Sequence, residues 1–113
     1  ARRARRRWRP PTDVYETDTH VVIKVEIAGM KTEDFTIAFI DRKLSISGCR
    51  SDLGDKIIYQ NMEIPYGEFH TEVKISWPLK ESEISAHYEE GFLFVELPKH
   101  SREFKIPIKQ VRE

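Results

Sequence analysis

The sequence predicts an all-β protein, an immunoglobulin-like sandwich of about seven to nine short antiparallel strands. Three observations lead to this fold class. Apolar residues alternate with polar residues along several short segments, turn-forming residues separate these segments, and no stretch shows convincing helical periodicity. The chain has 113 residues, which is enough for one domain with a modest core and too few for two.

The first half of the chain contains four predicted strands. Residues 12–16 follow two prolines and predict a short edge strand. Residues 20–27 show the most regular alternation in the chain. A tight polar reversal at residues 41–43 predicts a hairpin between two further strands, at residues 35–39 and 44–47.

The second half adds three strands. Residues 69–77 alternate regularly, and residues 84–88 and 93–97 do so on either side of a glycine. Gly91 predicts a hairpin there, because glycine accepts a positive φ without a steric clash. Pro98 is expected to end the last strand, since it has no N–H to donate to a neighbouring strand.

Several motifs occur in an order that is typical of one known family. They are Trp8-Arg9-Pro10, Asp13-Val14-Tyr15-Glu16, Pro65-Tyr66-Gly67-Glu68-Phe69, Ala86 with Glu90-Gly91-Phe92-Leu93, Leu97-Pro98-Lys99, and Ile106-Pro107-Ile108. Together they resemble the α-crystallin domain of the small heat-shock proteins, in its bacterial and plant-like branch. The family signature falls on Ala86, Gly91 and Leu93, while Glu90 stands where the family mostly has Asn.

The resemblance covers nearly the whole chain and implies three regions. Residues 1–10 form a flexible, arginine-rich amino-terminal arm, residues 11–99 form the α-crystallin domain, and residues 100–113 form a carboxy-terminal extension. We expect the arm to be trimmed, because the chain begins with Ala rather than Met.

Between Arg50 and Gly67 the alternation weakens around one apolar, strand-like segment. The segment consists of Lys56, Ile57, Ile58, Tyr59 and Gln60. An unpaired strand edge is costly to leave open, so this segment is expected to need a partner. The resemblance implies that it crosses to a second subunit and pairs with the edge strand that contains Val14, Tyr15 and Glu16, giving a swapped homodimer. A loop folded back on its own domain is the alternative.

A second apolar feature follows the domain. Ile106 and Ile108 point the same way in an extended chain, and Pro107 between them restricts the backbone. The resemblance implies that this motif binds in a groove on a neighbouring subunit, between the strands at residues 35–40 and 83–88. The groove candidates are Ile37, Phe39, Ile84 and Ala86. A further strand packed on its own domain is the alternative.

The charge is balanced overall but not locally. Six arginines lie in the first nine residues, so the remainder carries 13 basic against 19 acidic residues. A block of like charge this dense is expected to be disordered. Its arginines and Trp8 could bind nucleic acid, but a solubilising segment is the simpler interpretation, which makes a nucleic-acid partner unlikely.

No motif indicates catalysis, a cofactor or a metal. The four histidines are far apart and lack a ligand spacing, and no glycine-rich phosphate loop occurs. Cys49 is the only cysteine, which excludes an internal disulfide and favours the cytoplasm. No apolar run is long enough for a membrane span.

By resemblance, the sequence predicts an ATP-independent holding chaperone that is not an enzyme. It would assemble from homodimers into larger homo-oligomers, bind unfolding client proteins and prevent their aggregation, without a small-molecule substrate. Two alternatives stay open at this point. One is a co-chaperone-like sandwich that binds a single folded partner, and the other is a nucleic-acid-binding protein that uses the arginine arm.

Overall fold

A computed structural model describes residues 6–56, 58–99 and 106–111. Seven strands and two one-turn 3-10 helices, at Thr32–Asp34 and Glu81–Glu83, form within these residues. The strands are β1 (Thr12–Glu16), β2 (His20–Glu26), β3 (Phe35–Ile40), β4 (Lys43–Arg50), β5 (Gly67–Lys74), β6 (Ser85–Glu89) and β7 (Phe92–Pro98). The predicted all-β class is confirmed.

The strands form two antiparallel sheets. The four-stranded sheet has the order β1-β2-β7-β6, and the three-stranded sheet has the order β3-β4-β5. Both predicted hairpins are present: Phe39 pairs with Leu44 in β3–β4, and Glu89 pairs with Phe92 in β6–β7. β1 lies at an edge and pairs with β2, as its position after two prolines predicts.

The core lies between the inner faces of the two sheets. It is formed by Ile23, Val25, Ile27, Met30, Leu44, Ile46, Phe69, Ile75, Leu93, Val95 and Leu97. These residues follow the period of two along the strands, so one face of each sheet is apolar. Each large side chain that is fully buried contributes roughly 1.5–3 kcal/mol relative to exposure. Interdigitated packing of these rows therefore holds the two sheets together.

Trp8 packs against this core, although the sequence analysis assigned it, together with Pro10, to the disordered arm. The backbone N–H of Trp8 donates a hydrogen bond to Glu68 O (3.0 Å), and its carbonyl oxygen accepts one from His70 N (3.0 Å). These two bonds make a parallel bridge to Phe69. Pro10 is fully buried. The charge argument failed here because it counted the arginines and ignored the apolar area of these two side chains. Residues 1–5 of the arm lie outside the described residues.

The segment at residues 56–60 is predicted to form a strand by pairing with a second subunit. Lys56 and residues 58–60 form no strand in the described chain, and Ile57 lies outside the described residues. A strand requires a hydrogen-bonding neighbour, and the strand pairs of the described residues do not include this segment. The swapped pairing with a second subunit stays a prediction.

The β6–β7 turn is a two-residue hairpin loop. Glu90 (φ 48°) and Gly91 (φ 81°) both have left-handed backbone conformations. Two-residue turns of this kind favour Asn-Gly, because Asn tolerates the left-handed region better than Glu does. Gly91 is therefore well suited to the turn, whereas Glu90 adopts a left-handed conformation that is unfavourable for its side chain.

Replacement of Glu90 by Asn should stabilise the domain. We expect the free energy of unfolding to rise by about 1 kcal/mol, which is part of the cost of a left-handed backbone conformation for an ordinary side chain. For a domain of this size, that gain raises the melting temperature by roughly 4–8 °C. Thermal unfolding followed by circular dichroism at fixed protein concentration measures it. Glu89→Gln, which removes the neighbouring charge without changing the turn, is the control; a melting temperature that does not exceed the control's contradicts the assignment.

Candidate binding groove and subunit edges

An open groove separates β3 from β6, the edges of the two sheets on one side of the sandwich. It contains two adjoining cavities of about 300 and 240 Å³. The first is lined by Ile37, Phe39, Leu44, Glu81, Ile84, Ser85 and Ala86. The second is lined by Thr32, Phe35, Ile37, Ala86, His87, Tyr88 and Leu93. All four groove residues predicted from the sequence therefore lie together, and Ile37 and Ala86 border both cavities.

The groove is open because the inner residues of its two edge strands are not covered. Phe35, Ile37 and Phe39 point toward the core but are only half-buried, and Ala86 is exposed. Ala86 has only a methyl group between the larger Ile84 and Tyr88. This small side chain leaves the space between the two strands unfilled.

Tyr88 fixes one end of the groove. Its hydroxyl donates to Ile27 O (2.7 Å) and accepts from Met30 N (3.4 Å), which ties β6 to the end of β2 and the turn after it. Its ring lies 5.2 Å from that of Phe35, across the groove. The sequence analysis missed Tyr88 and Leu44 as lining residues. The alternation itself could have identified both, because Tyr88 shares a face with Ile84 and Ala86, and Leu44 pairs with Phe39.

Carboxylates flank the groove at both ends. Glu81 lines the larger cavity, and the 3-10 helix Thr32–Asp34 beside the smaller one carries Glu33 and Asp34. These side chains are exposed, so each attracts a cation only weakly in water. The groove therefore combines an apolar floor with an acidic rim.

β1 presents the second open edge. It pairs with β2 on one side only, and Val14 and Tyr15 are 50% and 42% exposed. Glu16 lies 3.8 Å from Lys99 Nζ, which is a weak surface ion pair. The three residues that the sequence assigns to the subunit edge thus lie on an accessible strand edge of the described chain.

The loop at residues 51–66 exposes an unusual number of apolar side chains. They are Leu53, Ile58, Tyr59, Met62 and Ile64. Apolar side chains scattered singly over a surface are normal, but a concentration of them in one loop is typical of a contact surface. Two of the five residues predicted to form the swapped strand, Ile58 and Tyr59, belong to this set.

Arg50 anchors the base of that loop. Its Nε and Nη2 donate to Pro65 O (3.2 and 2.6 Å), and its Nη1 donates to Ala28 O (3.2 Å). Its Cζ atom lies 4.7 Å from the Trp8 ring and 5.3 Å from the Tyr66 ring. One guanidinium therefore joins the amino-terminal segment, the turn after β2 and the end of the loop. Nothing in the periodicity indicates this contact.

The described part of the carboxy-terminal extension, residues 106–111, forms no strand. Ile106 and Ile108 are 82% and 95% exposed. The alternative of an added strand on its own domain therefore finds no support in these residues. Residues 100–105 and 112–113 of the predicted extension lie outside the described residues.

The described residues contain no group of three or more His, Cys, Asp or Glu side chains that could hold a metal ion. Cys49 is a free, exposed thiol on β4. No helix in the same part of the chain is long and apolar enough to cross a membrane.

A two-sheet sandwich with an open groove, a free edge strand and an apolar tail motif is the architecture that the sequence resemblance implies. The family model for the Hsp20/alpha crystallin family matches residues 13–112. The chain therefore belongs to the Hsp20/alpha crystallin family, and the predicted resemblance is confirmed. Small heat-shock proteins are ATP-independent chaperones, so family membership supports a chaperone role.

Individual relatives agree with this assignment. The heat shock protein HSP.16.4 of Streptococcus thermophilus is 36% identical over 110 residues, covering 87% of this chain and 73% of that protein. Small heat shock protein C2 of Rickettsia felis is 28% identical, covering 80% of this chain and 60% of its own length. The structure is similar to HSP18.5 from E. histolytica, with 26% identity, a TM-score of 0.73, and coverage of 91% of this chain and 99% of that one.

Replacement of Arg50 by Lys should destabilise the domain and loosen the loop. A lysine keeps the charge but cannot form the forked hydrogen bonds or stack its head group as a plane. We expect the free energy of unfolding to fall by about 1–2 kcal/mol, which is the net contribution of one or two hydrogen bonds. Urea unfolding followed by circular dichroism at fixed protein concentration measures it. Arg6→Lys, the same change at an exposed arginine nearby, is the control, and equal midpoints for the two variants would rule out the anchor.

Proposed function

We propose that this protein is an ATP-independent holding chaperone that acts as a homo-oligomer built from dimers. It binds proteins that are unfolding and prevents their aggregation. The observation that carries this proposal is the pair of adjoining apolar cavities on the open side of the sandwich, in a chain that also carries two exposed isoleucines two residues apart.

The tail motif suits this groove in spacing and size. Side chains two residues apart in an extended chain point the same way and lie about 6.6–6.8 Å apart. The two cavities adjoin at Ile37 and Ala86, so Ile106 of one subunit can fill one cavity while Ile108 fills the other. Burial of both isoleucines contributes up to about 3–6 kcal/mol before ordering costs, and Pro107 lowers those costs. Lys109 lies next to the motif, where the acidic rim attracts it.

The free edge of β1 and the apolar loop supply a second contact. An extended segment can add a strand to an open sheet edge through main-chain hydrogen bonds. Residues 56–60 of one subunit would pair with β1 of the other, and this pairing would cover Val14, Tyr15 and Ile58. A swapped dimer thereby closes an edge that the single chain leaves open.

Holding activity follows from the modest strength of these contacts. An unfolding client exposes apolar segments and strand edges, which are the same features that the groove and β1 bind. A tail that dissociates leaves the groove free for such a segment, so the client is bound there before it meets another unfolded chain. This exchange requires no nucleotide, and we expect it to operate in the cytoplasm.

Replacement of Ile106 and Ile108 by Ala should reduce the assembly to dimers. The double variant loses most of the apolar area that fills the two cavities, while β1 and the loop are unchanged. Multi-angle light scattering gives the absolute mass in solution. Val111→Ala, which removes an exposed apolar side chain from the same tail outside the motif, is the control. A wild-type monomer, or a double variant with the wild-type mass, would contradict the role of the tail.

The holding activity itself predicts that the wild-type chain suppresses heat-induced aggregation of a thermolabile enzyme without ATP. Turbidity at 45 °C should fall with increasing chaperone, and added ATP should have no effect. Blocking the groove with Ala86→Phe should lower the suppression several-fold. Ser82→Thr, an exposed position that lines neither groove cavity, is the control and should leave the suppression unchanged. Turbidity that does not respond to the wild-type protein would refute the proposal.

A further inference from the structure

The outward surface of the four-stranded sheet carries a row of aromatic rings on β6 and β7. Phe92 and Phe94 are neighbours on β7, with ring centroids 6.4 Å apart. His87 on β6 stacks on Phe94, with centroids 4.8 Å apart and planes within 13°. Flat rings are therefore presented to solvent along one line of the sheet.

Carboxylates stand on both sides of these rings. The register places Glu26 on β2 and Glu89 on β6 opposite Phe92. Neighbouring strands lie about 4.8 Å apart, so both carboxylates can reach a group that sits on the Phe92 ring. We call this surface the aromatic face. It consists of Lys24, Glu26, His87, Glu89, Phe92 and Phe94.

The aromatic face already holds one cation of its own chain. Lys24 Nζ lies 4.4 Å from the centroid of Phe92 and 5.7 Å from that of Phe94. A cavity of about 110 Å³ adjoins this ammonium and is lined by Pro11, Asp13, Lys24, Glu26 and Phe92. The ring faces attract positive charge, and the adjoining space leaves room for Lys24 to move toward Asp13.

A guanidinium fits this surface better than an ammonium does. It is planar, stacks on aromatic rings and binds a carboxylate with two parallel hydrogen bonds. The same molecule uses this geometry elsewhere, where Arg50 lies over the rings of Trp8 and Tyr66. The chemistry of the aromatic face therefore favours an arginine side chain as its ligand.

The chain carries such a ligand in its own arm. Arginines occupy positions 2, 3, 5, 6 and 7, and Arg6 and Arg7 are exposed. The chain beyond residue 9 has 19 acidic against 13 basic residues, which gives the two parts opposite charge. This complementarity favours the arm over an acidic or neutral partner.

The fold places residues 6–8 of one copy on the side of the sandwich away from its own aromatic face. Trp8 pairs with β5, at the edge of the three-stranded sheet. Arg6 lines a cavity together with Cys49, Gly67 and Glu68, on the outer side of that same sheet. The aromatic face lies on the opposite outer side of the sandwich, behind the core and the four-stranded sheet.

We propose that the arginine arm, residues 1–7, of one copy binds the aromatic face of a second copy. A guanidinium stacks on Phe92 between Glu26 and Glu89 and displaces Lys24. This contact centres on Phe92, which lines neither groove cavity and lies on β7 rather than β1, so it adds a third, salt-sensitive contact between subunits.

Photo-cross-linking of the full chain tests the proposal. Ala4→Cys in a Cys49→Ser background carries a benzophenone label, and ¹⁴N and ¹⁵N copies are mixed before irradiation. Mass spectrometry of the digest should find the label attached to peptides from residues 85–99 of the copy with the opposite isotope. Their yield should fall at least fivefold when the salt concentration rises from 0.05 to 0.5 M.

Charge variants then separate a specific site from general attraction. Glu26→Gln with Glu89→Gln should lower the yield at least threefold, whereas Glu72→Gln on the other sheet should not. Lys24→Gln should raise the yield, because it removes the competing cation, and replacement of the five arginines by lysines should lower it. Cross-links confined to the label's own copy, or an equal yield from the lysine arm, would overturn the proposal.

Discussion

The unpaired edges of two open sheets are the constraint on which the rest of this structure depends. Each sheet has two edge strands, whose outward N–H and C=O groups must be paired, hydrated or covered. In this chain the edges are β1 and β6 of one sheet and β3 and β5 of the other. Whether each edge is covered or left exposed determines where the molecule can bind another chain.

The amino-terminal segment covers one side of the sandwich. Trp8 pairs with β5, and three residues later Pro11 O accepts a hydrogen bond from Glu26 N (3.0 Å) in the four-stranded sheet. Next to Pro11, the hydroxyl of Thr12 lies 3.0 Å from that of Thr71. Thr71, the one buried polar residue in the described part of the chain, thereby has a hydrogen-bond partner. The segment thus joins both sheets on this side. On the opposite side, none of the residues that the structure describes covers β3 and β6 in this way, and the groove remains.

Much of this arrangement could be predicted from the sequence. Alternation with a period of two identified the strands, because each strand buries one face, and Gly91 identified the hairpin because its φ is positive. The groove residues came from resemblance. They line one cavity, and their binding role stays a prediction. The secondary structure of residues 56–60 could not be assigned from one chain, because a segment forms a strand only when a neighbouring strand pairs with its backbone.

Two contacts had no signal in the sequence pattern. Trp8 lies in a run of arginines, and composition averaged over that run hid a side chain that packs on Phe69. Arg50 is a single charged residue at a strand end, and its partners at positions 8, 28 and 65 are distant in the chain. Long-range contacts of individual side chains do not follow a period, so only the folded structure reveals them.

The central claim is that the edges left open in the single chain are closed by other subunits. Amide hydrogen exchange measured at several protein concentrations tests it most directly. Residues 12–16 of β1 and 35–40 of β3 should become at least tenfold better protected as the protein assembles, while β4, which has a neighbour on both sides, should not change. If the mass of the assembly changes with concentration but the amide protection of β1 and β3 stays the same, the account is contradicted.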